Sequence, residues 1–225
     1  MIYFGTGKYL ELNDNDPFFQ PTQAFYGIWD KNQPTLTSFT SADLVNQTID
    51  NQYTRAFDTD GDTIVDEEFL LRDVSNNPID FTTDLGWKID LAPVQVEGSA
   101  SSDNFGERQI SGAIVRNGRV IFTTLVPSAV ECEFGGRSFL MELDFRSGAA
   151  LGYPAFDLNA DGEYDADDTN ASGRASDVGI MPTVSILANG TEDVAFGSGA
   201  SGDIDIIQLS VGNAAYGRQS WRQLE

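Results

Sequence analysis

The chain has 225 residues, 35 acidic and 13 basic side chains, a formal net charge of −22 and no histidine. A surface of this sign repels phosphate backbones, so nucleic acid is not expected as a partner, and no apolar run approaches the roughly 20 residues of a membrane span. Without histidine, the chain cannot form a Ser-His-Asp or Cys-His catalytic arrangement or a His-ligated zinc site.

Short strands separated by Gly, Asn and Asp turns are predicted along the whole chain, which indicates an all-β fold with little helix. In chain order, the predicted strands cover residues 2–5, 24–30, 69–74, 86–91, 109–116, 119–126, 137–144, 178–187, 193–197 and 203–210. The best helix candidate is 40–47, with Thr40 or Ser41 as its N-cap. Asn117-Gly118 predicts a type I′ hairpin turn.

A pattern of two consecutive strands occurs three times, separated by loops of different length. The three copies are 2–7 with 25–30, 120–124 with 139–144, and 194–199 with 204–209, and hairpins at 113–118 and 184–190 precede the last two. Repeated antiparallel units of this kind suggest the blades of a modified β-propeller with long loop insertions. Three unrelated hairpins of a sandwich would give a similar pattern, so that alternative stays open.

Three units are too few for a closed propeller, which has typically four to eight blades. We therefore expect 1–225 to be one propeller-derived domain, the C-terminal fragment of a larger propeller whose remaining blades belong to the full-length protein. The strand-like start directly after Met1 supports this expectation. Cys132 is the single cysteine, so a disulfide would need a partner outside this chain.

The strongest functional signal is the acidic segment 157–168, whose spacing matches a calcium-binding loop. Its predicted ligands are Asp157, Asn159, Asp161, Glu163, Asp165 and Asp168, at loop positions 1, 3, 5, 7, 9 and 12. Gly162 stands at position 6, where such a loop turns sharply, and calcium takes six to eight oxygen ligands. Because crowded carboxylates repel each other without a cation, we predict bound Ca²⁺ here and consider a solvated acidic turn the weaker alternative.

A second candidate calcium loop lies at 57–68. Its predicted ligands are Asp58, Asp60, Asp62, the Ile64 carbonyl and Asp66, at positions 1, 3, 5, 7 and 9. Gly61 then falls at position 4, whereas reading from Ala56 restores glycine at position 6 and Glu67 at position 12 but loses the first ligand. Either register is a partial match. The acidic stretch 13–16 lacks the spacing and is predicted to be a turn.

Several motifs together resemble one protein family. They are Phe-Gly-Thr-Gly-Lys-Tyr-Leu-Glu at 4–11, Ala-Phe-Tyr-Gly-Ile-Trp-Asp at 24–30, the segment 116–127, and shorter matches at 134–136, 140–144, 156–162 and 217–222. These segments resemble the C-terminal region of the PilY1/PilC family of type IV pilus biogenesis proteins. The resemblance implies a modified β-propeller in a large secreted protein that supports pilus assembly, opposes retraction and takes part in adhesion.

The first functional hypothesis is therefore a non-enzymatic, calcium-binding domain outside the cell, on the cell surface or the pilus. Its partners would be pilin or other pilus proteins, and a host surface ligand. The family's own calcium loop is expected upstream of this chain, so both acidic loops are predicted from their own residues alone.

Other function classes remain as alternatives. A quinoprotein-like propeller dehydrogenase has similar blade sequences, but three units cannot close around its quinone cofactor. A carbohydrate-binding module could use the aromatic residues Phe25, Tyr26, Trp29, Trp87 and Trp221, although aromatic residues on propeller strands are more often inter-blade core. A glycosidase needs one pair of carboxyl groups at a set separation, and nothing distinguishes a pair among the 35 acids.

Overall fold

The computed structural model describes residues 1–18, 21–31, 38, 40–99, 102–130, 133–188 and 190–212. Within these residues, fifteen strands occur in chain order: β1 (Ile2–Gly5), β2 (Gln23–Ile28), β3 (Val45–Gln47), β4 (Ile49–Phe57), β5 (Glu67–Val74), β6 (Gly86–Leu91), β7 (Val94–Gln95), β8 (Ser102–Asp103), β9 (Ile114–Arg116), β10 (Arg119–Pro127), β11 (Gly136–Asp144), β12 (Gly173–Ser176), β13 (Ser185–Ala188), β14 (Glu192–Ser198) and β15 (Ile204–Ser210).

The helical structure of the described residues consists of three short 3₁₀ helices, Leu12–Asn15, Ser41–Asp43 and Ala166–Asp168. None of the helices in this part of the chain has the length and apolar character needed to cross a bilayer. Cys132, Trp221 and the motif at 217–222 lie outside the described residues.

The strands form three main sheets, and each contains one of the strand pairs predicted from the repeat. Sheet I has the order β1-β2-β6-β3, sheet II the order β4-β5-β12-β11-β10-β9, and sheet III the order β13-β14-β15. β1 with β2, β10 with β11, and β14 with β15 are antiparallel neighbours. Phe156 forms an antiparallel bridge with Leu209, which adds a short fourth segment to sheet III. The prediction of three blade-like antiparallel units is thus confirmed.

Sheet II is the central layer, because one of its faces packs against sheet I and the other against sheet III. Alternate residues of its strands point to these two faces. One core contains Phe25, Trp87 and Ile89 of sheet I with Val120, Phe122 and Phe139 of sheet II. The other contains Ile121 and Leu140 of sheet II with Ala195, Ile207 and Leu209 of sheet III. Phe25 stacks on Phe122 with ring centroids 3.8 Å apart. Phe25 and Trp87 are therefore inter-sheet core, as expected for aromatic residues on propeller strands.

The helix predicted at 40–47 is wrong beyond its first turn. The backbone N–H of Thr40 donates to the Asp43 carboxylate at 2.7 Å, so the N-terminal cap exists, but the helix ends after Ser41–Asp43. Val45 to Gln47 instead pair with β6 in parallel. Burial of Leu44 and this pairing outweigh the local helical preference.

Buried arginine side chains join the central sheet to its surroundings. The Arg72 guanidinium donates to both carboxylate oxygens of Glu107 at 2.7 Å, and both side chains are buried. Arg119 on β10 donates to Glu142 on β11 and to Asp193 on β14, each at 2.8 Å. This second network links sheet II to sheet III through charges that are excluded from water.

Candidate metal centres

We number the two acidic loops in chain order. The first acidic loop is the part of the candidate segment 57–68 between the strands, residues 58–66, and it connects β4 to β5 as the end of a hairpin. The Asp58 carboxylate accepts hydrogen bonds from the backbone N–H groups of Thr63 at 2.6 Å and Gly61 at 2.8 Å. Desolvation acts to raise the pKa of Asp58, but these backbone donors outweigh it and hold the pKa below its usual value. Asp58 is therefore ionised at neutral pH, as a calcium ligand must be.

Three carboxylates of the first acidic loop converge on one point. Asp58, Asp60 and Asp66 each place an oxygen within 4.8 Å of the others. Oxygen ligands lie 2.3–2.6 Å from a bound calcium ion, so oxygens around one ion are separated by up to roughly 5 Å. Asp62 does not join this group, and its carboxylate accepts from the backbone N–H of Ile64 at 2.8 Å.

The second acidic loop, residues 157–168, runs from the edge of sheet III towards β12 in sheet II. Asp168 is buried and closes this loop, because its carboxylate accepts from the backbone N–H of Leu158 at 2.7 Å. Asp157 accepts from the N–H of Gly162 at 3.0 Å. The second acidic loop therefore lies on a connection between two of the blade-like sheets.

The carboxylates of the second acidic loop are less closely gathered than those of the first. The 4.8 Å grouping is met by no three carboxylates of this loop in the described structure. The Asn159 amide donates to Asp161 at 3.0 Å, and Asp165 caps the following 3₁₀ helix by accepting from the Asp167 N–H at 2.9 Å. Glu163 is exposed at the surface of the loop.

Asp157 nevertheless has an unmet requirement. Its Oδ1 atom is buried and finds no hydrogen-bond partner among the described residues, and the same holds for the Tyr164 hydroxyl. Burial raises the pKa of Asp157, and the neighbouring charge of Asp161 raises it further. Buried polar atoms are nearly always paired, so this oxygen is free to contact a ligand that favours carboxylates, such as a cation.

The two loops share one backbone design. In both, the carboxylate at position 1 accepts from the N–H of position 6, the side chain at position 3 from position 5, and that at position 5 from position 7. Positions 4 and 6 have positive φ in both loops: Gly61 and Thr63 in the first, Ala160 and Gly162 in the second. The register that starts at Asp58 is therefore the structural one.

The loops differ in how they close. The backbone N–H of position 2 donates to the carboxylate of Asp66 at position 9 in the first loop, and to that of Asp168 at position 12 in the second. The first loop is thus a version shortened by three residues. Sequence reasoning missed this because Thr63, a β-branched residue that rarely has φ near +73°, occupies the position where glycine was sought.

The similar sequences and the similar solved structure are all PilY1 proteins or PilY1 homologues. No protein-family profile matches the chain. A "Type IV pilus biogenesis factor PilY1 homolog" of Xylella fastidiosa is 35% identical over 156 residues, which cover 68% of this chain and 9% of that protein. "Type IV pilus biogenesis factor PilY1" of Pseudomonas aeruginosa PAO1 is 25% identical over 247 residues, covering 100% of this chain and 19% of that protein. The chain therefore spans less than a fifth of the length of these relatives.

A solved structure has the same fold. The crystal structure of the Pseudomonas aeruginosa PilY1 C-terminal domain superposes with a TM-score of 0.72 at 23% sequence identity. The match covers 93% of this chain and 41% of the solved chain. The three blade-like sheets thus correspond to a fold already observed in that domain.

Proposed function

Because the chain belongs to the PilY1 family of type IV pilus biogenesis factors, we propose that it is a non-enzymatic, calcium-binding domain that supports pilus assembly and surface attachment. The family provides the pilus role. The observation that carries the calcium assignment is the shared hydrogen-bond pattern of the two acidic loops, each with oxygen side chains at positions 1, 3, 5 and 9.

In the first acidic loop, Asp58, Asp60 and Asp66 would hold the ion, with Asp62 and the Ile64 carbonyl completing the oxygen shell. In the second, Asp157 would provide its unpartnered oxygen, and Asn159, Asp161, Glu163, Asp165 and Asp168 are the remaining candidates. Calcium bound there would neutralise charge on a connection between sheets III and II. Its role would be to fix the loops and the surface that they present.

The proposed setting is outside the cell, on the cell surface or the pilus, with pilin or other pilus proteins as partners and a host surface ligand in adhesion. The remaining propeller blades of a full-length protein would also contact this domain. Extracellular calcium modules often have Kd values of about 10⁻⁴–10⁻³ M, which suits such a setting. Free calcium tenfold above Kd would stabilise the folded domain by about 1.4 kcal/mol.

Isothermal titration calorimetry tests the two sites separately. We expect two calcium ions per chain. Asp58→Asn combined with Asp66→Asn should abolish the first site, because it removes two of the three converging charges. Asp157→Ala or Asp161→Ala should abolish the second.

The matched control is Asp203→Asn, which removes one exposed carboxylate from the turn between β14 and β15. Its stoichiometry should equal that of the unmodified chain. If the variants of both loops also retained full stoichiometry, the assignment of both sites would be wrong. If only the variants of one loop lost a calcium ion, calcium binding would be restricted to that loop.

A further inference from the structure

A groove of about 460 Å³ lies apart in sequence from both acidic loops and has aromatic walls. Phe18 and Phe105 line one side, Phe134 and Pro127 contribute further apolar surface, and Arg137 lies among them. We call this the aromatic groove. Phe18 and Phe134 are both more than half exposed, at 75% and 51%. Large apolar side chains grouped at a concave surface mark an interaction site more often than a single exposed one does.

The first wall is held by close backbone packing. The rings of Phe18 and Phe105 are tilted against each other with centroids 4.9 Å apart. Gly106, with φ of +71°, permits the backbone of Pro17 to approach, because a Cβ at this position would lie 2.8 Å from the Pro17 carbonyl oxygen. The pair of phenyl rings is therefore positioned by the fold.

Phe134 on the second wall has a strained backbone. Its φ is +51°, which is an outlier for a bulky side chain and is therefore strained. The turn around it is anchored, because the Tyr9 hydroxyl and the Ser128 N–H both donate to the Gly135 carbonyl. The absence of a side chain at Gly179 makes room for the Phe134 Cβ. This turn presents a phenyl ring to solvent at the expense of local strain.

The aromatic groove has negative charges that no basic side chain of the described structure pairs with. Its cation, Arg137, donates to Asp103 and to the Asn104 side chain. Glu133 and Asp177 also line the groove and form no ion pair with any described residue. The lining thus combines phenyl faces, which attract cations, with two unneutralised carboxylates.

We propose that the aromatic groove binds a peptide segment of a partner protein in which a basic side chain is adjacent to an aromatic or apolar side chain. The basic group would lie between the phenyl rings and the carboxylates of Glu133 and Asp177, and the apolar side chain would cover Phe18 or Phe134. This inference goes beyond the proposed function, since the groove shares no residue with the calcium loops and requires no bound metal.

Fluorescence anisotropy with three labelled hexapeptides tests the proposal on the full chain at physiological ionic strength and fixed calcium. One peptide alternates Phe and Lys, the second Ala and Lys, and the third Phe and Glu. The Phe-Lys peptide should bind about tenfold more tightly than either control, a ratio within the range of cation–π and burial contributions. Absence of binding, or equal binding of the Ala-Lys peptide, would overturn the proposal, because the latter reports only bulk charge.

Matched variants locate the binding. Phe134→Ala retains the Cβ that packs on Gly179, and we expect it to weaken Phe-Lys binding about tenfold. Glu133→Gln with Asp177→Asn should do the same.

The controls for these variants are Leu187→Ala, an exposed apolar residue of sheet III, and Glu68→Gln with Asp203→Asn, which removes the same charge elsewhere. Equal losses in the controls would place binding outside the groove. Calcium stoichiometry, measured on the same samples, should be unchanged in every groove variant, so a failure of this proposal is distinguishable from a failure of the calcium assignment.

Discussion

Glu142 is an ionisable group in the interior, between sheets II and III. One carboxylate oxygen accepts from Arg119 at 2.8 Å, while the other is buried and finds no donor in the described structure. Burial raises the pKa of Glu142 to about 7; Arg119 acts to lower it, and Asp193 raises it. The neutral form is thus favoured in the folded chain more than in the unfolded chain.

A raised carboxyl pKa gives a defined pH dependence of the free energy of unfolding. The contribution of Glu142 is fully present below the ordinary pKa of 4.5 and is lost as pH rises through about 7. At about 1.4 kcal/mol per pKa unit, the loss is on the order of 3 kcal/mol. Glu142→Gln should remove this dependence, so the difference in unfolding free energy between the unmodified chain and the variant should fall by this amount from pH 4.5 to 8.

Chemical denaturation at a series of pH values measures this difference. Glu68→Gln is the control, because Glu68 is exposed and the substitution removes the same charge without changing a buried group. A difference between Glu142→Gln and the unmodified chain that stayed constant across this pH range would show that Glu142 does not titrate there.

At the scale of elements, sheet I packs on sheet II through Trp87 on β6. The indole lies against Gly148 in the turn that follows β11, and a Cβ at Gly148 would overlap its ring. Gly148 also has φ of +67°. Gly148→Ala should therefore destabilise the chain both by backbone strain and by overpacking, the latter costing about 1–3 kcal/mol.

Gly118→Ala separates the two effects. Gly118 lies in the turn between β9 and β10 with φ of +81°, and a Cβ there would meet no atom within 4 Å. The alanine variant should thus show the strain without the collision. Denaturant midpoints should place Gly148→Ala below Gly118→Ala. Equal midpoints would mean that Trp87 moves aside without loss of packing.

The sequence predicted elements where pattern and pairing partner lie close together in the chain, and failed where distant pairing decides. The strands on either side of Asn117-Gly118 follow from alternation and turn chemistry. β12, with the sequence Gly-Arg-Ala-Ser, has no apolar alternation and exists because it fits between β5 and β11. Likewise, the burial of Arg72 in β5 depends on Glu107 and on the face of Phe139, 3.4 Å from its guanidinium. Neither partner can be read from the local sequence.

The acidic loops show the same division. Spacing of oxygen side chains identified both segments, and the position of Gly162 was correctly interpreted. The closure of the first loop by Asp66 at position 9 depends on a hydrogen bond to Thr59 that only the folded hairpin defines. The local sequence thus locates the acidic side chains, whereas the folded hairpin decides that Asp58, Asp60 and Asp66 lie together.

At the scale of the whole molecule, most of the described positive charges are either buried or paired with a carboxylate. Among the described basic side chains, Arg72, Arg108 and Arg119 are buried, and Lys8, Arg55, Lys88, Arg116, Arg137 and Arg174 form ion pairs with carboxylates. The 13 basic residues are also far too few to give each of the 35 acidic residues a cation of its own. Like charges at this density favour expansion of the chain over the compact state.

Monovalent salt should therefore stabilise the domain. Screening shortens the range of charge interactions from about 10 Å at 0.1 M to about 3 Å at 1 M, and weakens the summed repulsion more than the few exposed ion pairs, each worth about 0–1 kcal/mol. A gain of about 2 kcal/mol would raise the melting temperature by roughly 4–8 °C in a chain of this size. Thermal unfolding in sodium chloride with a calcium chelator isolates this effect from site binding.

Replacing Glu67, Glu68 and Asp203 with Gln, Gln and Asn should raise the melting temperature at low salt and flatten its salt dependence. A melting temperature that did not change with salt concentration would show that charge repulsion does not measurably destabilise the folded chain.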